Sequence, residues 1–557
     1  MMVQPPFRYR FRPPLFDPAS RGAHPPVYQR IEEGPLLIER DLTVTLRDGT
    51  RIYVDVFRPR AGTPVPVLIG WSPYGKHEST TTYLGRAFRQ SGVGEDMVSP
   101  YTAFEAPDPL YWVPHGYAVV YLNPRGTWYS EGRATFCSPE EAQDFYDVIE
   151  WAGTAPWSNG RVGLSGVSYL TVMQWRVAEL APPHLAAINP WEGWTDTYRE
   201  VVTHGGIPDT WFWPYLIRRW GYSSTEIEDL ARETEEHPWC DAFWQSKAAR
   251  PERIQVPAYV VASWSDQGLH TRGTIEGFER LGSSEKWLEV HGQKKWAYYY
   301  RPESLARQKA FFDWYLKGLE TDLKTWPRVR LEIREGLGRG RWWTTTAFPV
   351  PGTQYHPWYL DARSARLSRE PVAEEASATY DPTRGDGTDR ATWTLTFDQP
   401  TDIVGHAKLK LWVSTDQGDD LDLFVALQKL DAAGNVVPFV FYAQLEDGPV
   451  ALGWLRVSHR ELDPEQSRPD RPVHRHLEAK PVAPGEVVPV EIEIWPSGTH
   501  FEPGEALRVV VQGTDIYRYP EPIVFPRHTA LVNQGRHRIW TGGRYDSHLL
   551  LPVLPTP

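Results

Sequence analysis

The apolar residues of the first 325 positions form short continuous runs that alternate with stretches of helical spacing. The continuous runs predict buried β-strands over Val65–Trp71, Tyr117–Leu122, Val162–Leu164, Leu185–Ile188, Val256–Ala262 and Lys286–Val290. The helical spacings predict helices over 139–153, 169–180, 271–281 and 304–317. Strands that alternate with helices in this way indicate an α/β domain with a parallel sheet and right-handed crossovers.

A second pattern, strict alternation of apolar and polar residues, marks the start of this region. Leu42–Leu46 and Ile52–Phe57 both alternate, and Asp48-Gly49 between them is a strong hairpin signal. Residues 1–40 are rich in Pro and Arg, and we expect them to form an arm that lies on the body. The α/β domain is therefore assigned to 41–190 and 251–325.

Between 191 and 250 the alternation lapses, and tryptophans are frequent among short helical pieces. Because this segment interrupts the sheet, we interpret 191–250 as a helical cap over the strand ends; the alternative is an extra helical layer whose aromatic residues are all core. The aromatic share of 13%, with 26 Trp, favours large apolar pockets. The residues expected to line the substrate pocket are Trp191, Trp194, Trp211 and Trp264.

Beyond residue 326 the pattern becomes all-β. Alternating runs predict strands over Val329–Ile333, Thr392–Phe397, Leu409–Val413, Val490–Ile494 and Leu507–Val511. Many strands separated by Gly and Pro turns are typical of a β-sandwich. We expect residues 326–557 to form a jelly-roll domain.

The chain of 557 residues is too long for one core, and its net charge of −12 argues against nucleic acid or an anionic membrane as the main partner. No apolar run is long enough to span a membrane. The chain has only two cysteines, Cys137 and Cys240, and its first residues do not form a secretory signal. The cytoplasm is the expected compartment, and a homodimer is left open.

A sharp strand-to-helix corner is the first candidate for chemistry. Gly166-Val167-Ser168 follows a predicted strand and opens a predicted helix, which is the pattern of a nucleophile elbow. Gly166 permits a tight turn, and the helix start directs backbone N–H groups toward the site. The usual second glycine is absent, because Leu170 occupies its position. Ser165 lies too early, within the strand.

A serine needs a base and an acid to become a nucleophile. In α/β-hydrolases these follow the serine in the order acid, then histidine, each at the carboxyl end of a strand. Asp266 follows the Val256–Ala262 strand, and His291 directly follows Val290. We therefore predict a Ser168–Asp266–His291 triad. His270 is the competing base, but it is only four residues from Asp266 and is expected to lie too near the acid to reach the serine.

The oxyanion of an acyl-transfer reaction needs hydrogen-bond donors. One is expected to be the backbone N–H of Tyr169, the residue after the nucleophile. The second should come from the loop 72–77, which has no run of glycines, so a side chain is the natural substitute. Tyr74 is the candidate, although a packing role would be preferred on the residues alone.

At this point the sequence resembles the cocaine-esterase / X-Pro dipeptidyl-peptidase family of serine hydrolases. The motifs that carry the resemblance are Arg47-Asp48-Gly49, Pro73-Tyr74, Arg125-Gly126 with Ser130-Glu131-Gly132, Trp157–Gly163, Gly166–Tyr169, Trp264-Ser265-Asp266 and Gly453–Arg460. The resemblance implies an α/β-hydrolase domain with an inserted helical cap and a C-terminal jelly-roll. It also implies Ser168 as nucleophile, Asp266 as acid and Tyr74 as an oxyanion donor through its hydroxyl.

The chain departs from the family pattern at two positions. Thr171 stands where the family motif often has glycine, so the helix is expected to pack differently there. Many members place the histidine in a Gly-Pro-Trp-x-His loop, whereas this chain has His291-Gly292-Gln293-Lys294-Lys295-Trp296. The position of the base along this loop is therefore left open by a few residues.

Two polar clusters could suggest metal but are interpreted otherwise. The aspartates Asp416, Asp419, Asp420 and Asp422 are expected to form a solvated turn, and His474-Arg475-His476 a surface loop. We expect no metal and no cofactor. The predicted function is hydrolysis of small carboxylic esters through an acyl-enzyme. The alternatives are an X-Pro dipeptidyl-peptidase, a β-lactam or α-amino acid ester acylase acting on amides or esters, and a non-catalytic binding protein on a hydrolase scaffold.

Overall fold

A computed structural model of the chain describes residues 7–77, 90–384, 388–521 and 523–555. Up to residue 345 the strands are β1 (Phe11–Arg12), β2 (Gln29–Glu33), β3 (Leu36–Thr45), β4 (Arg51–Pro59), β5 (Val65–Gly70), β6 (Ala118–Asn123), β7 (Ser158–Val167), β8 (Leu185–Trp191), β9 (Thr203–His204), β10 (Ile207–Pro208), β11 (Ile227–Glu228), β12 (Ala258–Ser263), β13 (Lys286–His291), β14 (Val329–Gly336) and β15 (Arg339–Thr345). The α-helices are α1 (Pro109–Trp112), α2 (Pro139–Thr154), α3 (Tyr169–Ala178), α4 (Phe212–Arg219), α5 (Leu230–Glu236), α6 (Ala242–Ser246), α7 (Thr271–Arg280), α8 (Lys295–Tyr300) and α9 (Pro302–Phe312). Short 3-10 helices lie at Pro18–Arg21, Pro251–Arg253 and Asp322–Thr325, and π-helical turns at Tyr198–Val202 and Asp313–Lys317.

One mixed sheet organises the N-terminal part of the molecule. Its strand order is β2-β3-β4-β6-β5-β7-β8-β12-β13-β14-β15. The pairs from β6 to β14 are parallel, and the pairs at both edges are antiparallel. The predicted strands are all present, and the hairpin at Asp48-Gly49 joins β3 to β4. The carboxyl ends of β7, β8, β12 and β13 therefore meet at one rim, where a site is expected.

Close packing of helices on this sheet explains one glycine in particular. A Cβ at Gly163 of β7 would lie 2.8 Å from the ring of Phe312 and 2.9 Å from Leu316. Both of those side chains are fully buried. A larger residue there would push α9 and the π-helical turn after it away from β7.

The segment between β8 and β12, which was interpreted as a helical cap and is called the cap below, is not purely helical. Besides α4, α5 and α6 it contains the antiparallel pair β9–β10, which the sequence pattern did not reveal. The N-terminal arm lies on this cap, because β1 pairs with β11. Backbone N–H groups of Leu15 and Phe16 add hydrogen bonds to the carbonyl of Gly221.

The remaining residues form a domain built largely of antiparallel strands. These are β16 (Gln354–Asp361), β17 (Arg366–Ser368), β18 (Ala376–Tyr380), β19 (Arg390–Thr396), β20 (Thr401–Thr415), β21 (Asp422–Leu430), β22 (Val436–Val437), β23 (Phe439–Phe441), β24 (Leu445–Gly448), β25 (Ala451–Arg456), β26 (Val488–Phe501), β27 (Ala506–Gln512), β28 (His537–Thr541) and β29 (His548–Val553), with a 3-10 helix at Val457–His459. One row of paired strands runs β19-β27-β21-β25, and a second is built on β20, which pairs with β26, β28 and β29. Their apolar faces share one buried cluster.

Two interpretations from the sequence are wrong in this domain. Asp422 does not lie in a solvated turn: it is buried in β21 and accepts two hydrogen bonds from Arg456, at 2.8 and 3.0 Å. His474 and His476 do not lie in a surface loop, because the cap covers them and both are buried. The cap contact is direct, since the carbonyl of His476 accepts the backbone N–H of Cys240.

The helices in these described ranges include none with both the length and the hydropathy to cross a lipid bilayer. Cys137 and Cys240 are both buried free thiols.

Candidate active site

Ser168 occupies a strained corner between β7 and α3. Its backbone has φ 61° and ψ −120°, a conformation that L-residues rarely adopt and that costs about 1–3 kcal/mol. The backbone N–H of Ser168 is held by the carbonyls of Trp191 and Glu192, at 3.1 and 2.9 Å. Gly166 is required because a Cβ there would lie 2.4 Å from the Leu170 side chain. The surrounding structure therefore fixes the serine at the tip of the turn.

The departures from the usual motif are compensated by residues elsewhere. Leu170 is accommodated against Gly166, and a different glycine, Gly193, allows the close approach on the other side: a Cβ at Gly193 would lie 2.6 Å from Cβ of Thr171 and 2.9 Å from the Ser168 carbonyl. The Thr171 hydroxyl donates to the Gly166 carbonyl at 2.9 Å and accepts the backbone N–H of Trp191 at 2.7 Å. Thr171 thus ties the helix start to both neighbouring strands.

The imidazole that faces the serine belongs to His270. Nε2 of His270 lies 3.2 Å from Oγ of Ser168, and its Nδ1 forms a short hydrogen bond with Oδ2 of Asp266. The backbone N–H groups of Leu269 and His270 both bond to the Asp266 carbonyl, and Gly268 has φ +89°. This closed turn brings two side chains four residues apart face to face. The sequence-based objection that His270 is too near the acid is therefore wrong.

His291, the predicted base, lies at the same rim but faces away from the serine. Its Nε2 is 3.0 Å from Oε1 of Glu192, and its Nδ1 accepts the backbone N–H of Gln293 at 3.1 Å. Its ring stacks on Tyr298 with a centroid separation of 3.8 Å. With both ring nitrogens engaged in these contacts, His291 is corrected to a buried packing residue.

Lys295 completes the cluster around the acid, and sequence reasoning missed it. Its Nζ lies 2.9 Å from Oδ2 of Asp266 and 3.1 Å from Nδ1 of His270. The only available signal was that lysine occupies the loop where many family members have histidine. Because Nδ1 of His270 donates to Asp266, the lysine donates to the carboxylate and acts on the imidazole as a nearby charge.

The charges of this cluster set the protonation states. Burial and then the Lys295 cation lower the pKa of His270 to about 4, against the opposing effect of Asp266. Burial alone would raise the pKa of Asp266, but Lys295 and His270 outweigh it and hold that pKa below its usual value. The site therefore holds a neutral imidazole and an ionised carboxylate at neutral pH, as a general base and its orienting acid require.

Two further carboxylates are buried nearby. Oε1 of Glu105 accepts the indole N–H of Trp296 at 2.8 Å, and its pKa is raised to about 8 by burial. Glu192 is paired with His291. In each of these two residues the second oxygen is buried and has no hydrogen-bond partner among the described residues.

The two residues predicted to supply oxyanion donors, Tyr169 and Tyr74, lie in ring contact with each other. Tyr169 is the first residue of α3, so its N–H has no carbonyl within the helix to bind. Its hydroxyl donates to Glu141 at 2.7 Å, which anchors the helix start. The Tyr74 ring packs edge-on against Phe104 and lies 6.2 Å from the Tyr169 ring, centroid to centroid. Residues 78–89, which continue the Tyr74 loop, lie outside the described residues.

Of the four tryptophans expected in a substrate pocket, one lies against the candidate base. Trp194 stacks on His270 with a centroid separation of 5.8 Å and an interplanar angle of 5°. The rings of Trp191 and Trp264 belong instead to the core: the first packs among tyrosines, and the second donates to the Glu332 carbonyl. Trp211 is half-buried under the guanidinium of Arg527. The pocket expectation is corrected for Trp191 and Trp264.

Comparison with protein families gives two matches along the chain. Residues 48–218 match the X-Pro dipeptidyl-peptidase (S15 family). Residues 321–550 match the X-Pro dipeptidyl-peptidase C-terminal non-catalytic domain. The second match begins at residue 321, near the change from α/β to antiparallel structure.

Individual relatives match over nearly the whole chain. A CocE/NonD family hydrolase from Staphylococcus aureus has a crystal structure that aligns with a TM-score of 0.90 at 42% identity, covering 96% of this chain and 98% of that one. A cocaine esterase from Rhodococcus sp. (strain MB1 Bresler) is 25% identical and covers 94% of this chain and 99% of its own. An α-amino acid ester hydrolase shares the fold, with a TM-score of 0.72 at 19% identity over 93% of this chain and 97% of that one.

Proposed function

This chain belongs to the CocE/NonD family of hydrolases, and from that premise we propose that it is a serine hydrolase that cleaves carboxylic esters. The observation that carries the proposal is the 3.2 Å contact between Oγ of Ser168 and Nε2 of His270. A hydroxyl is a weak nucleophile until a positioned base takes its proton. We assign Ser168 as nucleophile, His270 as base and Asp266 as the residue that orients the base.

The proposed reaction has two halves. In the first, Oγ of Ser168 attacks the ester carbonyl carbon while its proton passes to Nε2 of His270. The tetrahedral intermediate collapses, the C–O bond to the alcohol breaks, and His270 returns the proton to the departing alkoxide. In the second half, water attacks the acyl-serine, His270 takes the water proton, and the same proton then restores the serine hydroxyl as the carboxylic acid leaves.

Two donors are proposed for the oxyanion. The backbone N–H of Tyr169 is the first, because it follows the nucleophile and begins a helix. The Tyr74 hydroxyl is the second, supported by the position of its ring beside Tyr169. Preorganised donors of this kind stabilise the charge that develops on the carbonyl oxygen.

The aromatic surroundings favour an ester with an apolar group. Trp194 and Phe104 pack against the two proposed catalytic side chains His270 and Tyr74. A substrate with an α-amino group would need an anionic partner. With its pKa raised to about 8 by burial, Glu105 is mostly neutral at pH 7 and is a poor one. Esters without a charged amine are therefore the proposed class.

The finer description of the fold belongs to the same proposal. We assign the mixed sheet with its elbow to the α/β-hydrolase fold, supported by the strand order and by the position of Ser168 after β7. We assign the C-terminal domain to the jelly-roll class, supported by its two rows of antiparallel strands around one apolar cluster.

Covalent labelling with a fluorophosphonate tests the assignment of the nucleophile. We expect one label per chain on Ser168 and loss of labelling in Ser168→Ala. The matched control is Ser165→Ala, because Ser165 is a buried serine of β7, three residues before Ser168, whose hydroxyl contacts Tyr299 at 2.9 Å. Labelling that survives in Ser168→Ala contradicts the proposal.

A substrate panel tests the class of bond. The panel contains a short p-nitrophenyl ester, an X-Pro anilide and an α-amino acid ester, each assayed with wild type and Ser168→Ala. We expect the simple ester to give the highest kcat/KM. If the X-Pro anilide or the α-amino acid ester gives a higher kcat/KM, the proposed substrate class is wrong and that activity takes its place. The assignment of Ser168 as nucleophile would still stand.

A further inference from the structure

Two buried histidines from distant parts of the chain face each other behind the catalytic turn. His204 belongs to the cap and His528 to the β domain, 324 positions later. Nδ1 of His204 lies 2.9 Å from Nε2 of His528. One nitrogen of each histidine and a carboxylate oxygen of Asp209 lie within 4.8 Å of one another. All three side chains are at least 95% buried.

The outer nitrogen of each imidazole is already fixed as a donor. Nε2 of His204 lies 2.8 Å from the carbonyl of Gly268, which can only accept. Nδ1 of His528 lies 2.7 Å from Oδ1 of Asp515, whose other oxygen accepts the backbone N–H of His528. Metal-bound histidines have this arrangement, with the outer N–H given to a carboxylate or a carbonyl. The two inner nitrogens face each other at 2.9 Å, so a proton or a metal ion must lie between them to prevent repulsion of their lone pairs.

Asp209 supplies an independent observation. Oδ1 of Asp209 accepts the backbone N–H groups of Trp211 and Trp213, at 2.8 and 3.1 Å. Its Oδ2 is buried and has no hydrogen-bond partner among the described residues. A buried polar atom without a partner is costly, and a metal ion would satisfy it.

The charges also favour a divalent ion. Asp209 and Asp515 place two carboxylates at the cluster, and the nearby Asp422 is already neutralised by Arg456. A single proton shared by the histidines would balance one of the two carboxylates, whereas a divalent ion balances both. A cavity of about 20 Å³, lined by Gly268, Asp515 and His528 among others, has room for one water beside this cluster.

We propose that His204, Asp209 and His528 bind a divalent transition-metal ion, with Zn²⁺ the best fit to a mixed imidazole and carboxylate set. The ion is structural. It joins the cap to the β domain, and through the bond from His204 to Gly268 it holds the turn between Asp266 and His270. The expectation of no metal came from spacing along the chain, which could not reveal ligands 324 positions apart.

A second histidine pair in the same molecule provides a matched control. Nδ1 of His459 lies 2.9 Å from Nδ1 of His476, and both rings are buried. No third ligand group completes a cluster there among the described residues. Burial and then the Arg456 cation lower the pKa of His459 to about 4. A positive neighbour and a missing carboxylate make this pair unsuitable for a metal.

The test measures metal content and not activity. The wild-type protein is stripped with a chelator, refilled with Zn²⁺ or Co²⁺, freed of excess metal by gel filtration and analysed by mass spectrometry for metal. We expect about one equivalent per chain, visible-region absorption from bound Co²⁺, and a higher melting temperature on adding Zn²⁺. In Asp209→Asn and His528→Asn we expect the retained metal to be lost, whereas His459→Asn should retain it.

The same measurements can overturn the proposal. If the wild-type protein retains no metal and Zn²⁺ does not change its melting temperature, the proposed metal site is wrong. The two histidines would then share a proton. Equal metal content in wild type and Asp209→Asn assigns the bound metal to another place on the protein. Ser168→Ala is expected to bind metal as wild type does, so the outcome is independent of the proposed catalytic function.

Discussion

Two buried pairs of histidine and carboxylate lie at the same rim of the sheet, and they differ in what the imidazole faces. His270 bonds to Asp266 and turns its other nitrogen to Ser168. His291 bonds to Glu192, and its other ring nitrogen accepts the backbone N–H of Gln293. Both rings are fully buried. The difference shows that a histidine at a strand end qualifies as a base only if one ring nitrogen is left for the serine.

Charge separates the two pairs further. Lys295 contacts both members of the His270 pair, at 2.9 and 3.1 Å. It opposes protonation of the imidazole while keeping the carboxylate ionised. The His291 ring instead stacks on Tyr298. The first pair therefore has the contacts that the proposed base needs, and the second has the contacts of packed core residues.

The largest effect is expected from His270→Asn. Removing the base leaves the Ser168 hydroxyl without a proton acceptor, so kcat should fall by about 10⁵–10⁶-fold. The measurement is kcat and kcat/KM with a p-nitrophenyl ester, and circular dichroism verifies the fold.

His291→Asn is the matched variant, and it should reduce stability while leaving activity largely unchanged. Its loss removes the hydrogen bond to buried Glu192, so the free energy of unfolding should fall by about 1–3 kcal/mol. We expect kcat of the folded protein to stay within about tenfold of wild type. A loss of activity in His291→Asn as great as in His270→Asn would reverse the assignment of the two pairs.

Asp266→Asn is expected to come next. An amide in place of the carboxylate allows the wrong tautomer of His270, and kcat should fall by about 10⁴-fold. Glu192→Gln is the corresponding change in the second pair and should reduce kcat far less. Equal losses in the two variants would contradict the distinction between them.

Tyr74→Phe should have a smaller effect. It removes one proposed oxyanion donor while leaving the ring contacts with Phe104 and Tyr169, so kcat should fall by about 10²–10³-fold. KM should change little, because the lost bond strengthens only in the transition state. Wild-type kcat in this variant would return Tyr74 to a packing role.

Lys295→Met is expected to act mainly through pH. The base works only when neutral, and the depressed pKa of His270 places the acid limb of kcat/KM below pH 5. Removing the cation raises that pKa, so the acid limb should move to higher pH by about one unit or more.

At pH 6 the loss caused by Lys295→Met should therefore exceed the loss at pH 8. Lys294→Met is the control, because the Lys294 ammonium bonds to the Gln90 carbonyl and Glu446, away from the proposed triad. If the acid limb of kcat/KM does not move in Lys295→Met, Lys295 does not act on the pKa of His270.

The sequence was sufficient for features whose cause is local. The change from strand to helical spacing placed Ser168 at a corner, and Asp266 at the end of β12 followed from the same rule. The succession of strands and helices along the chain and the hairpin at Asp48-Gly49 could also be predicted, whereas the spatial order of the strands in the sheet was not. Each depends on the periodicity of a few neighbouring residues.

The features that the sequence missed depend on distant residues. Whether the turn after Asp266 presents His270 to the serine is decided by the φ of Gly268 and by Lys295, which comes from another loop. The missing glycine of the motif is replaced by Gly193, after the next strand. No local pattern contains these relations, and position at a strand end alone favours His291.

The pairing of β1 with β11 has a mechanical consequence for how substrate reaches the serine. The first described residues of the chain hold one side of the cap, with Phe16 stacked on Tyr222. The β domain holds the other side, where the Arg527 carbonyl accepts the backbone N–H of Thr210. Because neighbouring segments are hydrogen-bonded to both sides of the cap, we expect it not to open as a hinged lid. Substrate would then enter through an opening of fixed width, and that width would select among substrates by size.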